Sequence, residues 1–435
     1  MSGAPVHVLG AGFAGLVAAR ELVDLGHDVV VLEAGGAVGG LARTHREAGL
    51  AFDTGAHFVT NRLATAIGVM DQCDDAVHYG EAVWLDGTSA SYPFGLMRVP
   101  RYSVSALASR LRPHPAPQSA TDAFRAEYGP ALADEVALPL LEAWSGLPAD
   151  ELSASVLDKI PAGLGETVAL TVSRRLTHRA VAIGYCAEAP QSANVWHVYP
   201  RGGLDVMVDH LATGLGDRIR LRTPVEGLTI TDGRITGVRT GGVDEPSAAV
   251  VNTLPAPVLG RLADDPALAP LTSLHYRAMV FLQLHVRGRG YLPEPVTWFP
   301  DRRLPFFRVT EVPMAMPWLA PAGETVLTVD FGCAVDDPVW DAPAEELRDL
   351  ALTGLRPLAG DLTDRIVDLH TTRTPVAYPV LARATETARA AVHGHGIGGL
   401  VSVGRNAEFG HLLMEDVYWR TLRRVRTLAQ ESSGG

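Results

Sequence analysis

The chain has 435 residues, 37 basic against 49 acidic side chains, and a formal net charge of −12. With 47% hydrophobic residues this length supplies the cores of two or three domains, and an acidic excess with no basic stripe to offset it excludes nonspecific nucleic-acid binding. Three cysteines, Cys73, Cys186 and Cys333, stand far apart without C-x-x-C pairing, so neither a disulfide framework nor a metal site is expected.

The first element is an apolar run, Val6-His7-Val8-Leu9, that passes into Gly10-Ala11-Gly12-Phe13-Ala14-Gly15 and then into a helical pattern. Strand, G-x-G-x-x-G turn and helix in that order aim a helix N-terminus at a pyrophosphate. Gly10 permits the tight turn, Gly12 lets backbone approach the phosphates, and Gly15 allows helix to pack closely on strand, with Phe13 and Ala14 lying in the same turn. Leu16, Ala19 and Leu22 give the helix its buried face and Gly26 ends it. Asp28 to Leu32 follows as an unbroken strand of the kind a parallel sheet buries on both faces. Glu33 comes next, 23 positions after Gly10, where a carboxylate accepts hydrogen bonds from a ribose hydroxyl. The N-terminus lacks the basic region of a signal peptide, and no run of eighteen apolar residues exists, so a cytoplasmic protein without a membrane span is expected.

The stretch after Glu33 decides between dinucleotides. Ala34-Gly35-Gly36-Ala37-Val38-Gly39-Gly40-Leu41-Ala42-Arg43-Thr44 resembles the second glycine segment of the FAD-dependent amine oxidase superfamily, which includes protoporphyrinogen oxidases, phytoene desaturases and UDP-galactopyranose mutases. The resemblance implies FAD as cofactor, with Ala34, Gly39, Gly40, Leu41 and Ala42 passing close to it and Arg43 lying along its phosphates and ring. Leu50 to Val59 resembles the D-x-G-x-H segment of the same superfamily and implies that Gly55, Ala56 and His57 return to the flavin. There His57 either holds the ring in place or transfers a proton.

From about Asp75 the pattern changes. Tyr79 to Leu85, Ser89 to Pro93 and Met97 to Val99 read as short strands, and Ser103 to Leu111, Ser119 to Tyr128 and Ala131 to Trp144 as helices. Arg101, Arg110 and Arg112 read as a solvated helix face. His178, Tyr185 and Trp196 either line the active-site cavity or, as is commoner for such residues in an inserted domain, belong to the core, and they are left out of the site. The segment from Asp158 to Pro161 carries no interpretable pattern. Tyr199-Pro200-Arg201-Gly202-Gly203 resembles the superfamily's return to the cofactor domain, and the T-P-V segment implies an adenine contact from the backbone of Val225. Asp232-Gly233 predicts a hairpin turn. The implied fold is α/β: a Rossmann-type FAD-binding domain made of residues 1–75, 200–255 and 396–435, with a substrate-binding α+β domain of residues 76–199 and 256–395 built on an antiparallel sheet.

In that second domain Met279 to Val286 and Thr325 to Phe331 read as strands. Amine oxidases proper usually carry a lysine in the first of these, yet Tyr276-Arg277-Ala278-Met279-Val280 has none, and Lys159 is the chain's single lysine. Trp298-Phe299-Pro300 with Phe306-Phe307-Arg308-Val309 resembles a substrate-facing segment of the protoporphyrinogen-oxidase-like and mutase-like branches. Arg308 either clamps an anion or pairs with a carboxylate within the fold. Thr374 to Val380 resembles the A-Y-P segment that brings a tyrosine, here Tyr378, near the flavin.

Gly404-Arg405 ends a last strand, and a helix is predicted to begin near Met414. The resemblance implies backbone contacts to the flavin from Met414 and Glu415 and a phosphate or ring contact from Arg405. Where mutases carry an Arg-Tyr pair this chain has Gly410-His411, and His411 joins His57, Arg308 and Tyr378 as a candidate catalytic residue. The function implied is FAD-dependent hydride transfer between a small-molecule carbon and flavin N5, the substrate anionic or sugar-like. A redox-neutral sugar mutase and a flavin-free escort-type binder of the same fold are the alternatives, and the oligomeric state is open.

Overall fold

A computed structural model describes residues 3–92, 94–159 and 164–433. Pro93, Ile160 and Pro161, which the sequence reading touched, lie outside them.

The chain's first strand, β1 (Val6–Leu9), is central in a five-stranded, all-parallel sheet. It pairs on one side with β2 (Val29–Leu32) and on the other with Ala249–Asn252. Ile219–Arg220 and Leu400–Ser402 form the two edges. Val8, Leu9, Val31, Val250 and Val251 are all buried, as strands covered on both faces require. Between β1 and β2 runs α1 (Phe13–Asp24). Its close seat on the turn depends on Gly15, because a Cβ there would lie 1.9 Å from the carbonyl oxygen of Gly10. Gly15→Ala should therefore destabilise the protein by at least about 1–3 kcal/mol, read as a lowered urea midpoint. A midpoint equal to wild type would show that the turn can open without cost.

The second large sheet has seven strands, in the order Ile366–Pro379, Tyr276–Arg287, Glu324–Cys333, Arg308–Thr310, Val296–Trp298, Glu81–Leu85 and Thr88–Ser91. Every pair is antiparallel except Val296–Trp298 with Glu81–Leu85. One face carries Val280, Leu282, Val329 and Phe331 into a core with Leu347, Ala351 and Leu355 of the helix Ala344–Ala359. The other carries Phe281 and Asp330, which are cross-strand partners. This second face meets the segment Leu50 to Val59, since a Cβ on Gly55 would lie 3.1 Å from the Phe281 ring.

The hairpin expected at Asp232-Gly233 is present between Val225–Thr231 and Arg234–Thr240. Both turn residues have positive φ, 50° and 71°, the type I′ geometry that Asp-Gly favours. Two local expectations are corrected. Met97 closes a short helix, Phe94–Met97, instead of opening a strand, and Val99 caps the next helix, Pro100–Arg110, whose first residue is the proline. The predicted helix from Ala131 to Trp144 is broken into Pro130–Leu132, a π-turn at Ala133–Ala137, and Leu138–Ser145. Pro139 has no N–H to give the Glu135 carbonyl, and the ladder widens just before it, with the Leu138 N–H bonded to the Ala133 carbonyl.

Candidate active site

The two glycine segments meet backbone to backbone. The Gly39 N–H donates to the Ala11 carbonyl at 2.8 Å, and a Cβ on Gly40 would lie 3.2 Å from the Gly12 Cα. Gly10, Gly39 and Gly40 have φ of 97°, 103° and 58°, which side chains other than glycine rarely adopt. The α1 N-terminus has no side-chain cap and no acidic residue in its first turn. Its N–H groups and positive dipole end are thus offered to an external anion, which fits a pyrophosphate. Glu33 closes the turn from the far side: its carboxylate accepts from the Ala11 N–H at 2.8 Å and the Gly35 N–H at 2.6 Å. The chain just before Val225 runs beside it, with the Arg222 and Thr223 N–H groups donating to the Gly35 and Glu33 carbonyls. Ala34, Leu41, Ala42 and Arg43 flank these turns in sequence, and Arg43 packs its chain near Gly39, whose Cβ would meet it at 2.9 Å.

The last predicted segment lies over the first. Gly404 (φ 94°) abuts α1, where a Cβ on it would come within 2.8 Å of the Ala14 Cβ. The C-terminal helix begins at Met414. Its first-turn carboxylates are engaged with protein: Glu415 accepts from Thr60 at 2.7 Å and from Arg62, and Asp416 accepts from the Leu413 N–H at 3.2 Å.

Three of the four candidate catalytic residues, Arg308, Tyr378 and His411, gather in one place, Arg308 from the central strand of the seven-stranded sheet and Tyr378 from its edge strand. Arg308 donates to Asp330 at 2.8 Å from Nε and reaches it at 2.5 Å from the terminal nitrogen. It also approaches the Tyr378 hydroxyl at 3.5 Å and lies over the Trp298 ring at 5.2 Å. Tyr378 packs edge-on against Trp144 with ring centroids 5.1 Å apart, and Trp144 packs on His411 at 4.3 Å. Arg405 lies over the other side of Tyr378 at 5.8 Å and donates to the Leu412 carbonyl at 2.8 Å. The structure therefore brings Arg308, Tyr378, His411 and Arg405 into one cluster.

His57 stands apart from that cluster but within electrostatic reach of Asp330. Its Nδ1 is 3.6 Å from Asp53, a carboxylate already held by Thr44 at 2.7 Å and by the buried Tyr199 hydroxyl. Ala56, next to His57, packs on the main core beside Phe58.

Of the two readings of Arg308, the ion pair within the fold is the one observed. Asp330 is fully buried and Arg308 nearly so, with side chains 0% and 12% exposed. Burial works against the Arg308 charge, but Asp330 more than offsets it and holds the guanidinium above its ordinary range. Burial likewise pushes the Asp330 carboxyl up while Arg308 pulls it back. Its Oδ1 has no hydrogen-bond partner among the described residues, and a buried carboxylate oxygen left so is costly unless a ligand or water completes it. Burial lowers the pKa of Arg405, and the like charge of Arg308 adds to that.

Several residues of this region were not singled out from the sequence. Asp330 is the clearest, and a signal existed: it is the single charged residue in the run Val326 to Phe331. Of the residues read as core, His178 is exposed, whereas Tyr185 and Trp196 pack against the main core, and Tyr185 also hydrogen-bonds Tyr79 through the hydroxyls at 2.6 Å. Tyr79 in turn donates to Glu81, which accepts from the Trp298 indole at 2.7 Å. His197 is packed among Tyr79, Tyr185 and Phe58, and burial depresses its pKa to about 3. No group of three or more potential metal ligands occurs among the described residues, and no helix among them is long and apolar enough to cross a membrane.

Comparison with known proteins places this geometry. The family described as flavin containing amine oxidoreductase matches residues 13–418. Local sequence matches include the flavin-dependent L-tryptophan oxidase RebO of Lentzea aerocolonigenes, 61% identical over 41 residues, which is 9% of each chain. The all-trans-retinol 13,14-reductase of Macaca fascicularis is 38% identical over 94 residues, 21% of this chain and 14% of the relative. These matches thus span a small part of either relative. The crystal structure of reduced UDP-galactopyranose mutase superposes with a TM-score of 0.79, covering 99% of this chain and 97% of that one at 17% identity. At that identity the likeness shows the fold alone.

Proposed function

The chain belongs to the flavin containing amine oxidoreductase family, and from that premise we propose that it is an FAD-dependent oxidoreductase acting at a carbon of a small polar molecule, bound between His57 and the Arg308–Asp330–Tyr378 cluster. The observation that carries this reading is the buried Asp330, ion-paired on one oxygen and unsatisfied on the other, at the sheet face that meets Gly55 and His57. When bound, FAD supplies the two-electron exchange with the substrate carbon. The α1 N-terminus and the abutting glycines hold its pyrophosphate, Glu33 accepts from its ribose, and the backbone near Val225 flanks the adenine.

Around the substrate, Asp330 Oδ1 accepts a hydroxyl or N–H, and the Trp144, Tyr378 and His411 rings exclude water. Arg405 lies beside Tyr378 without a carboxylate in ion-pair range among the described residues, which supports an anionic group at that end. His57, backed by Asp53, orients the reacting carbon and is placed to take or give a proton there. The start of strand Tyr276–Arg287, Tyr276 to Val280, has no lysine where the resemblance to amine oxidases proper implies one, which weighs against amine oxidation. We assign cofactor binding to residues 1–75, 200–255 and 396–435 and substrate binding to the rest.

Anaerobic mixing of the yellow protein with panels of hydroxy acids, amino acids and nucleotide sugars tests the reading. Bleaching of the flavin by one of them is expected. Turnover of a nucleotide sugar only after prior flavin reduction, with no net oxidation, would replace it with the isomerase alternative. His57→Ala should lower the bleaching rate by about tenfold or more while FAD stays bound; an unchanged rate would remove His57 from the site.

A further inference from the structure

The loop that lies on the dinucleotide turn also grips a distant part of the inserted region. Glu408 has a side chain 1% exposed and uses both oxygens. Oε1 accepts the Gly404 N–H at 3.2 Å, so the carboxylate fixes the residue that abuts Ala14. Oε2 accepts from Arg420 at 2.9 and 2.7 Å, with Arg424 at 3.3 Å and His393 at 3.9 Å beside it. Arg420 extends its remaining arm to Glu188 at 2.8 Å. The backbone there is held as well, because Asp416 accepts the Ala187 N–H at 2.7 Å. Three residues before Glu188 is Tyr185, which continues through Tyr79, Glu81 and Trp298 to Arg308. A run of charged and hydrogen-bonded contacts therefore joins the cofactor turn to the Tyr185 segment.

A buried carboxylate with two arginines in hydrogen-bond or ion-pair range stabilises little compared with an apolar replacement. It does specify one arrangement of the segments it joins. We propose that Glu408, Arg420 and Glu188 form a positioning bridge that couples FAD binding to the docking of residues 184–191, so that loading the cofactor orders one wall of the substrate site. Because coupling is reciprocal, loosening the 184–191 segment must weaken FAD, although Glu188 lies at the far end of the bridge from Gly404. The inference rests on FAD binding and is independent of which substrate is used.

The test measures FAD affinity by titrating apoprotein and amide hydrogen exchange of residues 184–191 in the holoenzyme. Glu408→Gln should weaken FAD by about tenfold and speed exchange in 184–191 by a similar factor. Glu188→Gln, which leaves the Gly404 bond in place, should weaken FAD by about fivefold. The double variant should be no weaker than Glu408→Gln alone, the non-additivity of residues acting as one unit. Arg426→Ala, which removes the Arg426–Glu21 pair on the same helix, should change neither quantity. Weakened FAD with unchanged exchange, unchanged FAD in Glu188→Gln, or additive losses in the double variant would each overturn the bridge. If Glu408→Gln fails to fold, Glu188→Gln and its exchange pattern decide alone. Failure of the wild-type chain to take up FAD would instead overturn the cofactor assignment.

Discussion

Glu33→Ala is expected to leave the purified protein nearly colourless, with FAD affinity lowered by on the order of 10²-fold. The side chain holds the Ala11 and Gly35 N–H groups and is proposed to accept from a ribose hydroxyl as well. Hydrogen bonds to a charged group contribute about 1.5–3 kcal/mol each, and about 2.7 kcal/mol corresponds to a hundredfold change in dissociation constant. Alanine removes the proposed ribose acceptor and also frees the turn at the uncapped α1 N-terminus. Glu33→Gln keeps one acceptor oxygen and should lose less. Flavin content equal to wild type in Glu33→Ala would contradict the ribose assignment.

Arg308→Ala should cost about 3–5 kcal/mol of stability, because it strands the fully buried Asp330 as an uncompensated charge. The double replacement Arg308→Met with Asp330→Leu removes both charges and should recover most of that loss, since apolar residues of similar volume often substitute for a buried pair without penalty. Activity should separate from stability. Both variants should lose flavin bleaching by the substrate, the double variant while remaining folded. Urea midpoints and single-turnover rates measured on the same preparations distinguish the two effects. A double variant that reduces its flavin normally would make the pair a structural feature only.

The parts of the fold that were legible in the sequence are those dictated by local backbone chemistry. Gly10 and Gly15 stand where turn and packing forbid a side chain, Asp232-Gly233 selects a type I′ turn, and the C-terminal helix starts at Met414 as expected. The site was less legible because its partners come from separate strands. Asp330 and Arg308 become neighbours only through strand register, and Glu81 meets Trp298 across 217 positions. Short apolar runs failed for another reason. Phe94 to Val99 fits strand and helix periods equally, and the proline after it settled the matter by starting a helix.

The order of strands in the parallel sheet carries a consequence for biosynthesis. The first strand made, Val6–Leu9, receives one neighbour within about thirty residues, but its other partner is Ala249–Asn252, and that strand is in turn covered by Leu400–Ser402. Contacts so distant along the chain are slow to form. A ribosome-bound chain must therefore hold Val6–Leu9 apolar and half-paired until Ala249–Asn252 has emerged, a state open to misassembly. Gly404, which abuts α1, emerges only after all five strands of that sheet. The turn between the first strand and α1 is consequently left without its Gly404 cover until long after it has been made.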